Sequence, residues 1–119
     1  MKNNKKLAFM SLFMFTILTI GACSKSSDNP ANPGTTTTVI DIPGMSFSPG
    51  TVTVKVGAIV KWTNSDAMVH TATSDNGTTF DTGNIAAGAT ASYTTTVTGT
   101  FPYHCSVHSA MTGTLVVTP

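Results

Sequence analysis

At 119 residues the chain has room for one domain. Six basic and five acidic side chains leave it close to neutral, and the stretch after residue 37 carries two lysines against four aspartates. It has no basic patch, which excludes nucleic acid as a partner.

The N-terminus comes first. "MKNNKK" is a basic n-region, followed by the 14-residue apolar run "LAFMSLFMFTILTI". That run suits a signal-peptide core and is too short to span a bilayer comfortably. It closes on "IGAC", small residues just before Cys23. The segment resembles the lipobox of bacterial lipoproteins, in which cleavage precedes the cysteine and the thiol carries lipid. Residues 1–22 are therefore expected to be a lipoprotein signal peptide, with Cys23 lipidated and the protein exported and membrane-anchored on the periplasmic or cell-surface side. Residues 23–37, rich in Ser, Asn, Pro, Gly and Thr with no apolar periodicity, read as a flexible tether.

The folded domain is expected over 38–119. Helix signals are absent, and Thr, Val and Gly dominate with an apolar period of two. "TVTVKV" places Val52, Val54 and Val56 on one face. "IVKWTN" turns Val60 and Trp62 inward. "ASYTTTV" puts Ala91, Tyr93 and Val97 on one side with Thr95 between them, and "GTLVV" turns Leu115 and Val117 inward. Turns are expected at Gly57, Asn76–Gly77, Gly83–Asn84, Gly88 and Gly99. This pattern predicts an all-β fold, a Greek-key β-sandwich of seven to eight strands. A core this small gains from a stabilising ligand.

Near the C-terminus, "GTFPYHCSVHSAM" carries a thiol, an imidazole and a thioether at three-residue spacing: Cys105, His108 and Met111. Strand alternation puts Phe101, Tyr103 and Cys105 on the inner face and points His104 away. In an exported protein cysteines usually pair. With Cys23 lipidated, Cys105 is a lone thiol, and a metal explains it. His70 lies 35 residues earlier. If its strand neighbours the one ending at Cys105, then His70, Cys105, His108 and Met111 converge at one end of the sandwich. Two imidazoles, a thiolate and a weak thioether form the ligand set of a blue-copper electron-transfer site. Thiolate and thioether suit Cu(I), imidazole accepts Cu(I) and Cu(II), and a rigid sheet holds one geometry for both.

From about Val39 to Val117 the sequence resembles the cupredoxin family, of the plastocyanin and amicyanin type. The resemblance rests on "FSPGTVTVKVGAIVKWTNSDAMVH", "FDTGNIAAG" and "GTFPYHCSVHSAMTGTLVV". The short His–Met spacing is like amicyanin. The resemblance implies one copper ion, held by His70, Cys105 and His108 with Met111 as a long axial contact. It also implies a monomeric one-electron carrier, not an enzyme, serving a protein donor and a protein acceptor. Where the family often has an Asn after the first histidine, this chain has Thr71, whose hydroxyl is expected to bond near Ser106. His108 is expected at the surface, ringed by Val107, Ala110, Met68 and Met45, as the docking face. Met45 and Met68 are expected to pack near the metal rather than bind it, and His104 to be a surface residue.

Other readings compete. Tyr103-x-Cys105 with Trp62 also fits an immunoglobulin domain, but Cys23 lies before the tether, where no core partner would sit. A copper storage or delivery protein would use exposed, exchangeable ligands. A metal-free adhesive sandwich would stay colourless with copper present.

Overall fold

The computed structural model describes residues 35–119. The signal segment, Cys23 and the tether as far as residue 34 lie outside the described residues. The described chain forms eight strands and no helix. They are β1 (Thr37–Gly44), β2 (Ser46–Ser48), β3 (Thr51–Lys55), β4 (Ile59–Asn64), β5 (Thr73–Ser74), β6 (Thr90–Thr94), β7 (Gly99–His104) and β8 (Thr112–Thr118).

Two four-stranded sheets result, in the orders β2-β1-β4-β6 and β3-β8-β7-β5. Alternation holds within β3, β4 and β8. Val52 and Val54 on β3, Val60 and Trp62 on β4, and Leu115 and Val117 on β8 are all buried. The expected turns at Gly57, Gly77, Gly83 and Gly88 fall between strands while Gly99 opens β7; all five glycines have positive φ, a region that glycine enters without a Cβ penalty.

Pairing is mixed. β1 runs parallel to β4 and β3 parallel to β8, while β4–β6, β7–β8, β5–β7 and β1–β2 are antiparallel. The parallel pairs require the chain to cross between sheets, since parallel neighbours cannot be joined by a hairpin. Trp62 of the first sheet meets Tyr103 of the second edge-on, with ring centroids 5.8 Å apart. Phe47 and Phe80 pack on the same tyrosine. These rings form the centre of the core.

Two inward assignments fail. Val56 is 41% exposed and Val97 is 58% exposed. β3 ends at Lys55 and β6 at Thr94, so both valines fall in turns, beyond the pleat that would have aimed them inward. Thr95 is buried instead. Its hydroxyl lies 3.0 Å from the Lys55 carbonyl and 3.2 Å from that of Ala58.

Candidate metal centre

The site forms at the end of the sandwich where β1, β4 and β7 finish. β4 contributes the first support. Its inward row runs Val60, Trp62, Asn64, so a buried amide caps an apolar row. The Asn64 side-chain amide donates to the Met68 carbonyl at 2.6 Å and to the Ile85 carbonyl at 2.9 Å. Its Oδ1 accepts the Asp66 N–H at 2.9 Å. One buried residue thus folds the 65–69 turn back towards the core, as Asn side chains do when they bond the backbone two residues on.

That turn delivers His70. Its backbone pairs with Ile85, N–H to carbonyl 3.1 Å one way and 2.7 Å the other. Three residues later β5 pairs with the end of β7, Thr73 opposite His104. The segment carrying His70 therefore lies beside the strand that ends at Cys105.

Cys105 opens a loop closed at its base by backbone bonds. The Cys105 N–H reaches the Met111 carbonyl at 3.0 Å and the Met111 N–H reaches the His108 carbonyl at 2.9 Å. The spacing of two residues between them lets this tight loop turn Cys105 and His108 to one end of the sheet, with buried Met111 closing the loop.

Three donors converge. Cys105 Sγ is 3.8 Å from His70 Nδ1 and 3.9 Å from His108 Nδ1, and the two histidine nitrogens are 3.2 Å apart. All three atoms lie within 4.8 Å of one another. His70 and Cys105 are fully buried, Met111 at the far end of the loop is buried too, and His108 reaches the surface in part. A thiol and two imidazole nitrogens pointed at a common centre, without a disulfide, match the soft and borderline donor set that copper takes.

The electrostatics support an ionised thiol. Burial alone pushes the Cys105 thiol up, but the Thr71 amide, His70, and the amides of His108 and Val107 together bring it down to about 6. The Thr71 N–H stands 3.3 Å from the sulfur. Burial pulls His70 down, and its bonds to Asp66 and Cys105 outweigh that and hold it above the usual imidazole range. The Asp66 carboxyl is held below the ordinary carboxylate range, first by its bond to His70 and next by the Ala67 amide.

Thr71 links the two donor-bearing segments. Its hydroxyl accepts the Ser106 N–H at 2.8 Å. Thr73 Oγ1 extends the network, 3.2 Å from Thr71 Oγ1 and 3.1 Å from Ser106 Oγ. Met45 and Met68 are not packed inside; both are half exposed at the surface of this end, as is Val107. Ala110 is exposed too. His104 points to the opposite side, with Nδ1 2.6 Å from Asp75 Oδ1.

Asp66 and Asn64 were not singled out from the sequence. Asn64 carried a signal, since it falls on the inward parity of "IVKWTN". Asp66 sits four residues before His70 inside a turn, where only the folded loop brings the two side chains together.

The fold and the donors together define a β-sandwich with a histidine–cysteine–histidine cluster at one end, buried except at His108. The cupredoxin-like domain model matches residues 10–117, and the chain belongs to that family. It is similar to the Cu(I) form of an amicyanin mutant, with 29% identity, 73% of this chain and 85% of that chain covered, and a TM-score of 0.63. The reduced state of another amicyanin mutant is 31% identical over 73% of this chain and 85% of that one, at a TM-score of 0.62. A purple cupredoxin from Nitrosopumilus maritimus is 27% identical over 67% of this chain and 98% of that one, at 0.63. Among curated proteins none matches the sequence significantly.

Proposed function

We propose that this protein is a type 1 copper protein that carries single electrons outside the cytoplasm. The observation that carries the reading is the convergence of Cys105 Sγ, His70 Nδ1 and His108 Nδ1 within 4.8 Å, two of them on fully buried residues. His70, Cys105 and His108 would hold the ion, with Met111 as the weak axial ligand. Copper bound there supplies the Cu(I)/Cu(II) couple. The protein's part is to keep the donors fixed. Cys105 sits at the end of a paired strand, His70 is clamped through Ile85 and Asn64, and the Thr71–Ser106 bond locks the two segments together.

Rigid, buried donors favour electron transfer over storage or delivery, which need exchangeable ligands. His108 supplies the way out for the electron. The exposed side chains of Met45, Met68, Val69, Val107 and Ala110 lie on loops at the same end, and they support an apolar docking face for a donor and an acceptor protein. Electron-transfer encounters are small, under about 1,200 Å² in total, so a modest rim suffices.

The "IGAC" segment supports an exported lipoprotein anchored through Cys23, with a second acyl chain needed for a stable anchor. Recovery of the full chain in the membrane fraction, lost in Cys23→Ala, tests that part.

A visible spectrum tests the copper reading. Copper-loaded protein should show an intense thiolate-to-Cu(II) charge-transfer band with one copper per chain. Cys105→Ser should lose it, because a hydroxyl is a hard, poorly ionised substitute. A Cys105→Ser protein with the same band would sink the assignment.

A further inference from the structure

The two ring nitrogens of His70 face different surroundings. Nδ1 looks into the donor cluster, 3.8 Å from Cys105 Sγ and 3.2 Å from His108 Nδ1. Nε2 looks the other way and lies 2.8 Å from Asp66 Oδ2. A neutral imidazole has one N–H and one lone pair, and an ionised carboxylate can only accept. Opposite Asp66, the hydrogen is fixed on Nε2 and the lone pair on Nδ1, the nitrogen inside the cluster.

The carboxylate is itself held. Asp66 Oδ1 accepts the Ala67 N–H at 2.7 Å, and the Asp66 N–H donates to Asn64 Oδ1 at 2.9 Å. Asn64 is tied to Ile85, whose backbone pairs with that of His70. The carboxylate and the imidazole are therefore anchored to the same framework. Among the described residues, no other carboxylate hydrogen-bonds to any of the three donors.

We propose that Asp66 is a positioning residue of the metal centre: its carboxylate sets the His70 tautomer and ring orientation, and its negative charge lowers the reduction potential. The proposal rests on the copper reading. The sign follows from charge: an anion hydrogen-bonded to a ligand favours the more positive, oxidised ion and makes the ligand more basic. An uncharged partner would give a higher potential. Asp66 also shapes its turn, so the test must separate charge from shape.

Asp66→Asn keeps the size of the side chain and removes the charge, leaving one acceptor oxygen where the carboxylate offers two, to Ala67 N–H and His70 Nε2–H. Asp41→Asn removes the same formal charge from a residue bonded to Ser65 and not to His70. Voltammetry of the copper-loaded full chain should show a higher potential for Asp66→Asn and a much smaller change for Asp41→Asn. Asp66→Ala should weaken copper binding by about 10–100-fold. Nitrogen NMR of the metal-free protein at alkaline pH should find His70 as one tautomer in the wild type and a mixture in Asp66→Ala. An unchanged potential in Asp66→Asn, an equal shift in Asp41→Asn, or a fixed tautomer in Asp66→Ala would each overturn the proposal. A wild type that takes up no copper would sink the copper reading and the claim on the potential, and the tautomer measurement alone would then decide how Asp66 places His70.

Discussion

Thr71→Val offers a sharp test of how the two halves of the centre are joined. Valine matches threonine in shape and leaves the Thr71 N–H in place opposite Cys105 Sγ. What it removes is the hydroxyl that accepts the Ser106 N–H at 2.8 Å and lies 3.2 Å from Thr73 Oγ1, which keeps Asp81 and Ser106 as partners. A lost hydrogen bond of this kind costs about 1 kcal/mol net, and up to about 3 kcal/mol where the orphaned donor stays dry. The Thr71–Ser106 bond is only partly buried, so the lower figure applies. The expected loss in urea denaturation of the metal-free protein is therefore about 1 kcal/mol with an unchanged m-value. Thr71→Ser keeps the hydroxyl and should recover most of it. In the copper-loaded protein, Thr71→Val should also move the reduction potential, because the loop bearing Cys105 loses its tie to the segment bearing His70. A valine variant with wild-type stability and wild-type potential would show that the Thr71–Ser106 bond holds nothing together.

Gly113→Ala should be costly, since a Cβ there would lie 2.3 Å from Tyr103 Cζ. That ring is wedged among Phe47, Trp62 and Phe80, so an overpacking loss of about 1–3 kcal/mol is expected in denaturant. Copper affinity should depend on pH through the donors. As pH falls through the raised value of His70 and then through about 6 for Cys105, protons compete for the same atoms. Affinity should then drop by at least about tenfold per unit and level off at higher pH; a flat profile down to pH 5 in competition titrations would contradict this. Met111→Leu should keep the charge-transfer band and shift the potential, as suits a weak axial ligand. Val107→Glu or Ala110→Glu should slow transfer to the natural partner with the spectrum unchanged, and the rate should vary little with salt, since the domain has few charges to steer with.

Much of this was legible in the sequence, for local reasons. Alternating Val and Thr fixes which side of a strand is buried, glycine with Asn or Asp marks the turns, and a three-residue spacing of Cys105, His108 and Met111 is a property of one loop. All of that is decided within a few bonds of each residue. The tertiary structure decided the rest. The parallel pairings of β1 with β4 and β3 with β8 join segments that share no local signal. The strand ends at Lys55 and Thr94 were set by where those partners stop, which is why Val56 and Val97 face solvent. His70 meets Cys105 across 35 residues because β5 docks on β7. Asp66 meets His70 because Asn64, buried beneath, bends the turn between them. The long-range contacts arise only when long loops have closed and distant strands have paired; even Asp66 and His70, four residues apart, meet through the turn that the buried Asn64 shapes.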